Sequence, residues 1–195
     1  MKKIGLTGVM GAGKSSVIEI LKENGIIVLD CDRINAQLLE KNEAGYTALV
    51  AAFSTIILDE HDEISKQKMS DIIFSNQENR KRAEGILHPL IKEEITRQVK
   101  QHEDQDLLVV EVPLLFEVKW ESFFDEVWVV ACDHHLLLER LQAFRHISKE
   151  EATRRLAHQM SQEEKISKAD VVFYNNSNKE NLKRQICDIL KVNRR

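Results

Sequence analysis

The stretch "LTGVMGAGKSS", residues 6–16, decides how this chain is read. From Gly8 to Ser15 it satisfies the spacing G-x-x-x-x-G-K-S. Glycines admit backbone angles that turn successive N–H groups inward and let an oxyanion come close. A helix starting at about Lys14 points its unpaired N–H groups and positive dipole end at the same anion. Lys14 adds a full positive charge, and the Ser15 hydroxyl is a ligand for Mg²⁺. The motif has this meaning only between a strand and a helix. The apolar run KIGLT (3–7) precedes it, and SSVIEILKEN follows, with Val17, Ile18 and Leu21 on one helical face and Gly25 as a stop. The ligand expected is therefore a nucleoside triphosphate, with its acceptor still open.

Further runs resemble KIGLT: IIVLD (26–30), LLVVEV (107–112), EVWVVAC (126–132) and VVFYN (171–175). They are continuously apolar rather than alternating, as strands covered on both faces are. Strand, loop, helix and strand at the start form a βαβ unit, whose right-handed crossover gives a parallel sheet. The fold class is thus α/β. Residues 33–105 read instead as helices over 33–41, 45–53, 65–75, 77–87 and 89–103, broken near His88 by Pro89. Residues 134–168 read as two short charged helices, with Ser148/Glu151 and Ser161/Glu164 as capping boxes. A final helix is expected over 178–192, with Asn178 as its cap.

The chain has 195 residues, which suits a single domain with room for a lobe and a lid. A net charge of −4 argues against a protein that coats nucleic acid. Three scattered cysteines without a C-x-x-C give little support to a zinc site and fit a reducing cytosol. No apolar run is long enough to span a membrane. A cytoplasmic protein is expected, acting as a monomer or as a homo-oligomer.

Three classes use such a loop: small-molecule kinases, GTPase switches and nucleotide sensors. The switch usually carries N-K-x-D, and Asn178-Lys179-Glu180-Asn181 lacks the aspartate. A kinase needs a group that orients or deprotonates the acceptor hydroxyl. Asp30 and Asp32 in "LDCD" lie at the carboxyl end of the second expected strand, the edge where open parallel sheets bind ligands. The plainer alternative is that both begin the next helix. Glu111 ends the third expected strand and would hold Mg²⁺ through water, or be a strand-end charge. Arg140, Arg145, Arg154 and Arg155 lie in a charged stretch that would close over phosphates or form a solvated face. His88 reads more naturally as a packed residue than as a catalyst. Trp120, Phe123 and Phe124 would cover core or line an acceptor pocket.

Several stretches in order resemble the dephospho-CoA kinase family: "IGLTGVMGAGKSSV" (4–17), "VLDCD" (28–32), "ILHPLI" (86–91), "VPLLFE" (112–117), "DEVWVV" (125–130), "ERL" (139–141), "EEATRRLAHQ" (150–159) and "ADVVFYNNS" (169–177). The resemblance implies a P-loop fold with a five-stranded parallel sheet in the order 2-3-1-4-5. Its core would be 1–32, 106–139 and 169–195, with a helical acceptor-binding insertion over 33–105 and a lid over 140–168. The implied reaction passes the γ-phosphate of ATP, with Mg²⁺, to the ribose 3′-hydroxyl of dephospho-CoA. The rival is a nucleoside or nucleoside-monophosphate kinase. By the same resemblance Asp32 is the base, and Gly11, Ala12, Gly13, Lys14, Ser15 and Ser16 contact ATP. Arg140 contacts phosphates from the lid, and the helices around Arg155 and Gln159 complete that lid. His88, Pro89 and Leu114 lie near the acceptor. Ser15 and Glu111 remain the metal candidates. The chain departs from the family pattern at Ser16, Cys31, Lys66 and Ser177, and has Phe144 where a second lid arginine is common, with Arg145 one residue later.

Overall fold

The computed structural model describes residues 1–145 and 147–193, with the backbone alone for Phe74, Phe144 and Arg145. The side chain of Arg145 therefore lies outside the described residues. The described chain divides into two compact units, Met1–Leu29 with His102 onward, and Asp30–Gln101.

The first unit is built on parallel strands β1 (Lys2–Thr7), β3 (Leu107–Glu111), β4 (Glu126–Ala131) and β5 (Val171–Tyr174). With β2 (Ile27–Asp30), which runs into the second unit, the sheet order is β2-β3-β1-β4-β5. Ile4 of β1 pairs with Val109 on one side and Glu126 on the other, and Val130 of β4 pairs with Phe173. The central strands are the apolar runs of the sequence. Leu107–Val110 and Val127–Ala131 are buried throughout, because helices cover both faces. Helix α1 (Lys14–Glu23) lays Val17, Ile20 and Leu21 into this core, with Ile18 only partly covered. Helix α9 (Lys179–Asn193) adds Leu182, Ile186 and Leu190. Trp120 and Phe124 are buried as well, which makes the aromatic cluster core, with the Lys3 ammonium 3.5 Å from the Phe123 ring centre.

Residues 134–168 form three helices rather than two: α6 (His134–Arg145), α7 (Lys149–Leu156) and α8 (Gln162–Ser167). Ser161 and Glu164 complete a reciprocal capping box. Ser148 caps only half of one: its hydroxyl accepts the Glu151 N–H, while the Glu151 carboxylate is drawn to Arg154 and Arg155 instead.

The second unit holds α2 (Cys31–Leu38), α3 (Ala44–Phe53), α4 (Lys66–Ser75) and α5 (Gln77–Lys100) around a core of Leu49, Phe53, Ile57, Leu58, Met69 and Ala83. Ser54–Ile57 form a 3₁₀ turn, followed by a bridge from Leu58 to Ile64. Pro89 does not break the helix near His88; it lies inside continuous α5. An interior proline costs about 3 kcal/mol. Ala83 is buried before Pro89, and Ile91 and Ile95 after it. At about 1.5–3 kcal/mol for each fully buried isoleucine, packing outweighs the lost hydrogen bond. Among the described residues, no helix is long and apolar enough to cross a membrane.

Candidate active site

The phosphate loop leaves β1 at Gly8 and enters α1 at Lys14. Gly13, the residue before α1, has φ +96°, a conformation that favours glycine. A Cβ there would also collide with the side-chain amide of Asn175. That amide donates to the Ala12 carbonyl at 3.1 Å, and Arg140 donates to the Asn175 carbonyl at 2.9 Å. The loop is therefore braced from the end of β5 and from α6. Lys14 donates to the Gly8 carbonyl at 2.9 Å, folding its ammonium back across the loop.

A cavity of about 540 Å³ opens on this loop. Gly11, Gly13, Lys14, Ser15 and Ser16 line it together with Glu111 and Arg140. Four of the expected groups, Lys14, Ser15, Glu111 and Arg140, thus converge from three segments on one space. Ala12 is buried beneath it and contributes its carbonyl to the bracing. Ser15 and Glu111 offer hard oxygen donors of the kind Mg²⁺ accepts, so the residues present fit that ion.

Asn175, Leu141, Lys179 and Leu182 line the same cavity and escaped sequence reasoning as site residues. The signal for Asn175 was an Asn-Asn pair directly after the apolar run of β5. For Lys179 and Leu182 it was an i, i+3 pair opening α9. Lys179 is held at the rim by Glu19 at 3.0 Å and Glu23 at 3.3 Å. Cys132, at the end of β4, is buried, which pushes its thiol up; the Arg140 guanidinium works in the opposite direction.

Arg154 and Arg155 lie outside this cavity. Both pair with Glu151 on their own helix, at 2.6 and 2.7 Å. The Gln159 side-chain oxygen accepts the N–H of Met10 in the phosphate loop at 3.0 Å. Leu114, in the loop after β3, is an exposed apolar side chain.

In the second unit, Asp30 closes β2 and caps α2, accepting the Arg33 N–H at 3.0 Å. Asp32 follows in the first turn of α2, exposed to solvent. The two aspartates therefore differ: one has a capping duty and the other projects from the helix start. His88 is half-buried on α5, and that burial lowers its pKa, while Glu84 opposes the shift. Pro89 is exposed beside it.

A parallel sheet of this order, with a phosphate loop between β1 and α1, defines a P-loop kinase. A family model for dephospho-CoA kinase matches residues 2–181. The chain belongs to the dephospho-CoA kinase family. It is 40% identical over 190 residues to the dephospho-CoA kinase of Bacillus cereus, covering 96% of this chain and 95% of that one. Among solved structures, a Thermus thermophilus protein superposes with a TM-score of 0.85 at 29% identity, covering 98% and 97% of the two chains. The dephospho-CoA kinase of Campylobacter jejuni gives 0.70 at 27% identity, covering 97% and 95%. The nucleoside-kinase alternative finds no such support.

Proposed function

We propose that this chain moves the γ-phosphoryl group of ATP to the ribose 3′-hydroxyl of dephospho-CoA, giving CoA and ADP. The observation that carries the reading is the single cavity shared by the phosphate loop, Lys14, Ser15, Glu111 and Arg140.

Phosphoryl transfer asks the protein mainly for positioning and charge stabilisation. The amides of Gly11 through Ser16 and the α1 dipole cradle the polyphosphate. Lys14 leaves the Gly8 carbonyl for the β and γ phosphates. Arg140, already bonded at the cavity wall, meets the negative charge that builds on the transferring group. Ser15 directly, and Glu111 directly or through water, would hold Mg²⁺, which would supply charge neutralisation to the phosphates. Asp32 takes the proton of the acceptor hydroxyl as its oxygen bonds to phosphorus and the bond to the ADP oxygen breaks. His88 and Pro89 of the helical unit are the proposed acceptor contacts, and Leu114 is proposed as a further substrate contact. A monomer is the proposed working unit, and the cytoplasm is the proposed setting.

Asp32→Asn tests the base assignment. Turnover should fall about 10²- to 10⁴-fold while ATP affinity, measured by calorimetry, is kept. Turnover near that of the unaltered enzyme would remove Asp32 from this role.

A further inference from the structure

We infer that Gln159 is a positioning residue for the phosphate loop, and that the buried Glu117–Lys165 pair anchors it. The inference rests on the phosphate-loop reading above. A loop with three glycines has much conformational freedom to lose when it closes on a phosphate. Bonds that order it beforehand improve affinity by reducing that loss. Met10 is not among the residues lining the nucleotide cavity, so its N–H is available for bracing. Gln159 takes that N–H at 3.0 Å.

The turn that presents Gln159 is itself held on several sides. The next residue, Met160, donates its N–H to Glu117 Oε1 at 2.9 Å. The Lys165 ammonium lies 2.8 and 2.9 Å from the two oxygens of the same carboxylate. The Lys165 side chain has no solvent exposure, and that of Glu117 is 18% exposed. A charge so deeply buried depends on its partner, so the pair is a fixed point rather than an exchangeable surface contact. Gln162 adds a two-point clamp, accepting the Cys132 N–H at 3.0 Å and donating to the Cys132 carbonyl at 2.9 Å. The Ser161–Glu164 box closes the turn. A continuous strut therefore runs from the loop after β3, through Glu117 and Met160, to Gln159 and the outer face of the phosphate loop. None of these groups touches the reacting atoms; they act through Met10.

Gln159→Met keeps the side-chain length and removes the acceptor, and Gln159→Glu keeps an acceptor at the same reach. For Gln159→Met, ADP affinity by calorimetry and KM for ATP should weaken by about tenfold, the scale of one lost hydrogen bond. KM for dephospho-CoA and the melting temperature without nucleotide should stay unchanged. Hydrogen exchange at the Met10 amide should quicken in Gln159→Met and return to normal in Gln159→Glu. Combining Gln159→Met with Glu117→Gln and Lys165→Met, which remove the buried charges together, should add little further loss. Normal ADP binding by Gln159→Met would overturn the inference while leaving the phosphate-loop reading intact. So would equal rises in both KM values with a lowered melting temperature. If the unaltered protein fails to bind ADP, both fall together. Should Gln159→Met not fold, Gln159→Asn, one methylene too short to reach, gives the same readings with the same expected losses.

Discussion

Two sets of arginines on neighbouring helices are held in opposite ways. Arg140 on α6 is partly buried and tied to other segments, donating to the carbonyls of Asn175 at 2.9 Å and Ala12 at 3.5 Å. Arg154 and Arg155 on α7 are 73% and 51% exposed and share one carboxylate, Glu151, on their own helix. The difference separates a prebuilt charge from an adaptable one. Arg140 is in place before any nucleotide arrives, and its ordering cost is met by folding. Exposed pairs within a helix contribute little stability, so Glu151 yields either arginine at small cost. On the proposed mechanism, a fixed group suits the step that needs close charge placement, and a loosely held one suits a surface that adjusts.

Removing the fixed charge should hurt most. Arg140→Ala is expected to lower kcat/KM about 10²- to 10³-fold, with much of the loss in kcat, as for other preorganised charges. A loss under threefold would place Arg140 with the adaptable set. Next comes the wall that Arg140 shares with the loop. Gly13→Ala forces a side chain into a left-handed conformation, costing about 1–2 kcal/mol, and into the Asn175 amide. ATP affinity should drop by about tenfold or more, read by calorimetry, together with the melting temperature. Arg154→Ala should change kcat/KM by only about two- to threefold, within the range of an exposed pair. A loss as large as that of Arg140→Ala would erase the contrast.

The smallest effect belongs to the helical unit. Burial depresses the pKa of His88, so the folded state favours the neutral ring. The unfolded chain then binds more protons than the folded one once pH falls through the ordinary histidine value of 6.5. Stability contributed by the neutral ring is full above that value and is lost as pH drops below it. His88→Gln should flatten this part of the profile of melting temperature against pH, and an unchanged profile would show that His88 contributes nothing to it.

The strands and the phosphate loop were legible because each is a local signal. Buried parallel strands need continuous apolar runs, and the loop needs glycines at fixed spacing before a helix. Each strand differs from the sequence reading by a single residue at one end only, as where Lys2 joins β1 and Val112 leaves β3. What escaped depends on distant partners. Pro89 reads locally as a stop, yet α5 passes through it because Ile91 and Ile95 are buried beyond it. Glu151 reads as a capping partner for Ser148 until two arginines on the same helix compete for its carboxylate. Asn175 gains meaning only when β5 pairs beside β4 and brings its amide to the Ala12 carbonyl. Gln159 looks like one more polar residue of a charged stretch until the chain returns it to Met10.

The most direct measurement offers the unaltered enzyme γ-labelled ATP with Mg²⁺ and a panel of acceptors: dephospho-CoA, nucleosides and nucleoside monophosphates. The expected result is label on the 3′-oxygen of dephospho-CoA and none on the other acceptors. Label on a nucleoside or nucleotide, with dephospho-CoA left untouched, would contradict the proposed reaction.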